Sequence, residues 1–295
     1  MVTPVETAKR AGTRKGVPAK LDDMIESEQA EVKQAVEQTK QASASIDLNR
    51  LANTVDGYEP KPNYIVKSAL GMELIWCPPG SFIMGLFRND EAHPVILTKG
   101  FYLGKYEVTQ EQYQKVIGTN PSNFKGDKLP VDKVSWYKAV EFCEALNEKE
   151  RIPSGWKFAL PTEAQWEYAC RAGTTTAYSF GDKITSDDAN YNWDGDWDTG
   201  ADFKQTRDVG SYSANPWGFF DMHGNVREWT ADWYGTYPSN LVIDPRGPTE
   251  GSHHFPRGGS WRHIGMHLRS ASPGRRNPGV YPYEVGFRVA LKQVD

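Results

Sequence analysis

The sequence predicts a mixed α+β fold with few regular elements and long organised loops. Three observations predict it. Short apolar runs flank Pro and Gly breakers, as in Glu73-Leu74-Ile75-Trp76 and Ser81-Phe82-Ile83-Met84 around Pro78-Pro79-Gly80, which is the pattern of short strands meeting at a turn. Three segments of modest length repeat apolar residues at helical spacing. After Gly173 the periodicity fades, and from Thr174 to Pro256 turns, aromatics and aspartates prevail. With 27 Gly, 19 Pro and 10 Trp in 295 residues, large rigid side chains set among turn positions anchor irregular chain. Loops of that length are seldom structureless, and bound metal ions are one way to hold them.

The elements follow in chain order. Residues 1–20 carry Lys9, Arg10, Arg14, Lys15 and Lys20 against Glu6, without apolar periodicity, and read as a disordered basic tail. Residues 21–45 place Leu21, Met24, Ile25, Val32, Ala35 and Val36 on one face of an amphipathic helix, suited to packing on its own domain or to self-association. Residues 46–63, with Gly57, Pro60 and Pro62, form a linker, and the globular part occupies 64–292. Phe101 to Tyr106 is a strand. Thr109 caps the first globular helix, with Gln112 as its capping-box partner. The second helix runs from about Ser135 to Lys149 on a stripe of Trp136, Val140, Phe142, Cys143 and Leu146. The third begins at Pro161-Thr162-Glu163 and ends near Arg171. Two strands, Arg257 to Trp261 and Gly286 to Leu291, close the chain.

Composition excludes several functions. Lys+Arg 34 against Asp+Glu 38 gives a net charge of −4, which lacks the concentrated basic surface that nucleic acid requires. No stretch is long and apolar enough to span a membrane, and the N-terminus has no apolar signal core. Cys77, Cys143 and Cys170 form neither a Cys-x-x-Cys pair nor a disulfide framework, so a reducing, cytoplasmic setting is expected and the thiols in helical patterns read as buried.

Five motifs carry a family resemblance. They are Cys77-Pro78-Pro79-Gly80-Ser81-Phe82-Ile83-Met84-Gly85, Gly104 to Thr109, Leu160 to Ala169, Gly218 to Trp229, and Arg257-Gly258-Gly259-Ser260-Trp261 through Gly286-Phe287-Arg288. In this order they resemble the formylglycine-generating enzyme (sulfatase-modifying factor) family over about residues 64 to 292. The resemblance implies a C-type-lectin-like fold with structural calcium. Oxidising members use two cysteines after the Arg-Gly-Gly-Ser segment to bind copper, since a soft thiolate suits Cu(I) and exchanges with the substrate thiol. The matching positions here are His263 and Leu268, and no cysteine follows Cys170. No catalytic residue and no copper are therefore expected. The alternative is an oxygen-dependent oxidase or sulfatase-modifying enzyme with a non-cysteine metal site.

The histidines give little support to that alternative. The iron-dependent sulfoxide-synthase branch takes its metal histidines largely from an additional helical domain, and residues 1–60 contain no histidine. Adjacent His253 and His254 point to opposite faces of an extended chain. His263 and His267 share a face on a helix only, and Gly265 interrupts them.

For calcium, the seven aspartates between Asp182 and Asp202 repel one another unless solvated or neutralised. Asp194 to Gln205 fails as an EF-hand because Thr199 and Gln205 stand where Gly and Glu are needed. Carried over by resemblance, one site uses the Asn190 side chain, the Tyr191 carbonyl, Asp202 and the Phe203 carbonyl. A second uses Asp221, the Gly224 and Val226 carbonyls and Glu228. The competing expectation is that Asp221 and Glu228 hydrogen-bond loop amides without an ion.

Function is expected in the segment from Trp261 to Glu284, which the resemblance places on the exposed face between the closing strands. Trp261, Arg262, His263, Ile264, Met266, His267, Tyr281 and Tyr283 are the candidate ligand-binding residues, for an unknown protein or small-molecule ligand. From Arg246 onward there are eight basic and three acidic residues, and Arg, His and Tyr give contact energy with little entropy loss. Family members without the cysteine pair occur in bacteria and phage, and some are variable proteins of diversity-generating retroelements. Their mutagenised codons lie between the Gly-Gly-Ser-Trp and Gly-Phe-Arg motifs, and most residue types at 262–267 and 280–283 suit adenine mutagenesis, Met266 excepted.

Overall fold

The computed structural model describes residues 65–68, 70–85, 92–192 and 204–294. The basic tail, the 21–45 helix, the 46–63 linker, Asp202 and Phe203 lie outside the described residues. In chain order the elements are β1 (Ile65–Lys67), β2 (Glu73–Cys77), β3 (Gly80–Met84), β4 (His93–Leu97), β5 (Phe101–Gly104), α1 (Gln110–Ile117), α2 (Trp136–Lys149), β6 (Trp156–Ala159), α3 (Glu163–Arg171), β7 (Arg227–Trp233), β8 (Val242–Ile243), β9 (His254–Arg257), a 3-10 turn (Gly265–Leu268), β10 (Val285–Gly286) and β11 (Ala290–Gln293). The mixed α+β expectation holds, with long irregular stretches between short elements.

The helices start where the caps say. Thr109 accepts from the Gln112 amide while the Gln112 side chain accepts from the Thr109 amide, and Thr162 with Gln165 does the same for α3. Ser135 caps α2 through the Lys138 amide. Each such cap satisfies an amide that has no partner inside the helix, worth about 1 kcal/mol. Gly118 ends α1 in the left-handed region at φ 88°, a conformation cheap only for glycine.

The main sheet has strand order β1-β2-β5-β11-β6, every neighbour antiparallel. Its two faces alternate as strand geometry requires. Leu74 and Trp76 of β2 join Tyr102, Tyr113, Phe142, Leu146, Phe158 and Leu291 in one core under α1 and α2. Ile75 and Cys77 face the other way, with Leu103, Ala164, Trp166, Ala169 and Ala290, under α3. The runs around Pro78-Pro79-Gly80 do form strands, yet β2 belongs to this sheet and β3 to a separate sheet of order β3-β4-β8. A third sheet, β10-β7-β9, carries the candidate site.

The closing strands differ from the sequence expectation. The first is His254–Arg257 and stops there, because Gly258 and Gly259 turn left-handed at φ 86° and 72°. A Cβ on Gly259 would meet Leu268 Cδ1 at 2.5 Å, so this glycine is what lets the 3-10 turn pack down. The second splits into Val285–Gly286 and Ala290–Gln293, which serve different sheets. Among the described residues no helix is long and apolar enough to cross a membrane.

Candidate functional site

Three buried arginines organise the region around β7 and β9, and their partners differ. Arg288 lays its guanidinium on Glu228, with Nε to Oε2 at 2.6 Å and Nη2 to Oε1 at 2.7 Å, and also donates to the Gly104 and Phe220 carbonyls. Trp166 Nε1 donates to the same Oε2 at 2.7 Å. Arg257 bridges Glu163 at 2.9 Å and Glu167 at 2.5 Å, and Glu167 is shared with Arg171 at 2.8 Å. Bidentate pairs of this kind fix orientation where solvent is absent. They tie α3 to β7, β9 and the strand-end Arg288.

Arg227 is the exception. It is buried, its Nε donates to His263 Nε2 at 3.3 Å, and its Nη1 donates to the Pro256 carbonyl at 3.2 Å. Among the described residues no carboxylate stands within ion-pairing distance of it; the nearby Glu284 pairs with Arg276 at 3.3 Å. Burial and then Arg276 push the Arg227 guanidinium down to about 10. His263 is pushed down to about 3 by burial and then by Arg227. Because Nε2 accepts from Arg227, the hydrogen bonds assign the ring hydrogen to Nδ1, which donates to Ser260 Oγ at 2.6 Å. Both ring nitrogens are thus committed to protein partners. At the other cysteine position, Leu268 is fully buried with Tyr178, Ala189 and Tyr191.

The structure sorts the predicted contact residues into a floor and a surface. Trp261 is floor: it is buried, edge-on to Phe124 at 5.6 Å and 6.0 Å from the Tyr283 ring. Arg262 is exposed and lies over both, 4.7 Å from the Tyr283 ring centroid and 5.7 Å from Trp261. Met266 is 53% exposed, Tyr281 56% and Tyr283 39%. Ile264 precedes the 3-10 turn half-buried, and His267 within the turn is half-buried with its ring 5.7 Å from that of His263. Phe124 and Arg227 were not among the expected site residues. Nothing local in the sequence marks them, since each acts through a chain segment far away in sequence.

Of the remaining histidines, His254 is stacked between Trp136 at 4.0 Å and Trp233 at 3.9 Å, and its Nδ1 donates to the Asp232 carbonyl. His253 instead meets Ser252, so the adjacent pair does point apart. His223 donates from Nδ1 to the Leu268 carbonyl at 2.7 Å and accepts at Nε2 from the Ser179 amide at 3.1 Å; burial pushes it down to about 4. The three cysteines are buried and free. Burial pushes Cys143 and Cys170 up to about 12, so neither supplies a thiolate at neutral pH.

The two ligand sets for calcium look different in the structure. Asn190 Nδ2 donates to the Gln205 carbonyl at 2.9 Å and to Asn225 Oδ1 at 3.2 Å, which fixes its amide orientation. Its Oδ1 is buried without a hydrogen-bond partner, as is Thr206 Oγ1. A buried hard oxygen left unsatisfied suits a cation or a water. Tyr191 adjoins it, buried, while Asp202 and Phe203 are outside the described residues. In the second set both Glu228 oxygens are taken by Arg288 and Trp166, and Asp221 Oδ2 accepts from the Gly210 amide at 2.6 Å. Gly224 and Val226 lie in the same buried turn, where Asn225 Nδ2 and the Val226 amide donate to Glu107. A cation at Glu228 would have to displace a guanidinium, so this set fits an ion poorly.

Comparison with known proteins accords with this architecture. The sulfatase-modifying factor enzyme 1-like domain matches residues 65–293. The chain is 33% identical over 300 residues to formylglycine-generating enzyme of Mus musculus, covering 78% of this chain and 76% of that protein. It is 31% identical over 230 residues to the chaperone protein LppX of Paenibacillus barcinonensis, covering 64% of this chain and 79% of the relative. It spans 40% of the length of the serine/threonine-protein kinase pkn1 of Chlamydia caviae, at 29% identity over 79% of this chain. Among solved structures, Treponema denticola variable protein 1 superposes with a TM-score of 0.66 at 26% identity, covering 77% of this chain and 98% of that one. The fold is of the C-type-lectin-like, formylglycine-generating-enzyme type, and the chain belongs to the sulfatase-modifying factor family.

Proposed function

We propose that this protein is a binding module on the family scaffold, without the copper oxidase chemistry, and that it engages a protein or small-molecule ligand through the segment between Trp261 and Glu284. One observation carries the reading: Arg262 lies over Tyr283 and the buried Trp261, and Tyr281 and Met266 of the same segment are exposed. Aromatic and arginine side chains on rigid supports are the usual anchors of recognition surfaces. The residues at the two cysteine positions support the absence of oxidase chemistry. Leu268 has no ligating atom, and His263 has spent both nitrogens on Ser260 and Arg227.

The buried Arg227 adds a preference for negative charge. A guanidinium without a carboxylate gains most from an anionic group that reaches it. The likeness to variable protein 1 supports a diversified segment, and the exposure of Arg262, Val280, Tyr281 and Tyr283 against the burial of Trp261, Leu268 and Glu284 is the division that such a segment needs. In this reading calcium sits at Asn190 Oδ1 and the Tyr191 carbonyl and staples the loop region.

Aerobic incubation with Cu(I) and a Cys-x-Pro-x-Arg peptide tests the first part; no formylglycine is expected by mass spectrometry, and its formation overturns the reading. Panning a peptide display library on the immobilised chain, with the Arg262→Ala/Tyr281→Ala variant as counter-selector, tests the second. Clones that need both side chains are expected, and clones indifferent to them would place recognition elsewhere. For calcium, chelation should lower the melting temperature and calcium should restore it; an unchanged transition removes the ion from the account.

A further inference from the structure

A second site lies away from the Trp261–Glu284 segment and shares no residue with it. β6 is the edge strand of the main sheet, and its register with β11 sets Lys157 directly opposite Lys292. Like charges facing each other across an antiparallel pair are destabilising. The core-facing partners one step along, Phe158 and Leu291, are apolar as the core demands. Both lysines line a cavity of about 310 Å³ between this edge, the first turn of α3 and the chain after β8, where Lys99 and Arg246 also contribute.

Two carboxylates, Asp232 and Asp244, stand against the four cations of the cavity and offset part of their charge. Asp244 is turned to Thr98, accepting from its amide at 2.8 Å and from its hydroxyl. Asp232 sits at the inner end, where Oδ2 accepts from the Glu163 amide at 2.6 Å. Lys292 donates to the Leu160 carbonyl at 3.1 Å, and burial holds its ammonium below the ordinary lysine range against the opposing pull of Asp232, with Lys157 and Arg246 adding to the depression. Among the described residues no hydrogen bond or ion pair reaches the Lys157 ammonium.

We propose that this cleft binds a small phosphate ester, its phosphate between Lys157 and Lys292 and its hydroxyl-bearing remainder toward Asp232. Two ammonium groups one strand apart, about 5 Å at the backbone, can each take a different oxygen of one phosphate, and lysine is a common point-charge partner for that group. Asp232 repels a second anionic group at the inner end and accepts from a hydroxyl, which favours an ester over a polyphosphate.

The test is titration of glycerol 3-phosphate into the full chain by calorimetry at constant ionic strength, with glycerol as control. Saturable one-to-one binding tighter than about 1 mM is expected. Lys157→Glu, at an exposed position that folding tolerates, should weaken it about tenfold or more. The same variant should raise the melting temperature without ligand, because it replaces a repulsive cross-strand pair with an attractive one. Lys115→Gln, on the distant surface of α1, should bind as the wild type does. No saturation by about 10 mM, equal binding by Lys157→Glu, or equal weakening by Lys115→Gln overturns the proposal.

Discussion

Arg227 at the start of β7 and Arg288 between β10 and β11 are both buried, and their partners are opposite in kind. Arg288 is saturated by Glu228 and three carbonyls. Arg227 has a neutral histidine and one carbonyl. The first arrangement locks a scaffold, since every charge has its partner before any ligand arrives. The second leaves positive potential under an exposed segment, a tolerable cost only where something else supplies the negative charge. Under the proposed function, this contrast separates frame from site better than exposure alone does.

The contrast predicts unequal responses to mutation. Arg288→Ala should be the most damaging change, losing about 3–5 kcal/mol by urea denaturation, because Glu228 is left as an uncompensated buried charge. Arg227→Met should cost much less, since no carboxylate is stranded. Equal losses would end the distinction. Leu268→Ala should cost about 2–4 kcal/mol through the cavity it opens, which would establish that this position has become core rather than chemistry.

Protonation sharpens the comparison further. His223 and His263 are held neutral in the fold, at about 4 and about 3, against 6.5 in the unfolded chain. A group with a depressed histidine pKa contributes stability that is present above 6.5 and is lost as pH falls toward its folded value, up to about 2 kcal/mol each at pH 5. NMR titration should find both imidazoles neutral at pH 5; a midpoint near 6.5 for either would contradict its burial. An anion bound at Arg227 should raise the His263 midpoint and leave His223 unmoved. Smallest of all, Tyr281→Ala and Met266→Ala should change stability by less than about 0.5 kcal/mol while abolishing ligand capture.

Some of this was legible before any coordinates. Thr109 with Gln112 and Thr162 with Gln165 announced their helices because a capping box is a local device, complete within four residues. The strands around Pro78-Pro79-Gly80 were legible for the same reason. β7 was not: Arg-Glu-Trp-Thr-Ala-Asp-Trp is buried almost throughout, bulges against β9, and pairs in parallel with only two residues of β10. β6 escaped likewise, as a short run whose partner β11 is distant in the chain, and β4 escaped although it pairs with the preceding strand β3 as well as with distant β8. The sequence neighbours of Trp261 point to a contact residue, whereas the structure makes it the floor beneath Arg262.

The sequence by itself determined the family, the absence of a thiol after Cys170 and the starts of the three described α-helices. Only the tertiary structure decided which buried arginine meets a carboxylate and which does not, that His263 faces Arg227 rather than solvent, and that two lysines 135 positions apart in sequence confront each other across a strand pair. Capping, turn chemistry and motif order are local properties that a sequence states directly. The pairing of a buried charge depends on which distant segment folds against it, and that is settled only when the whole core closes.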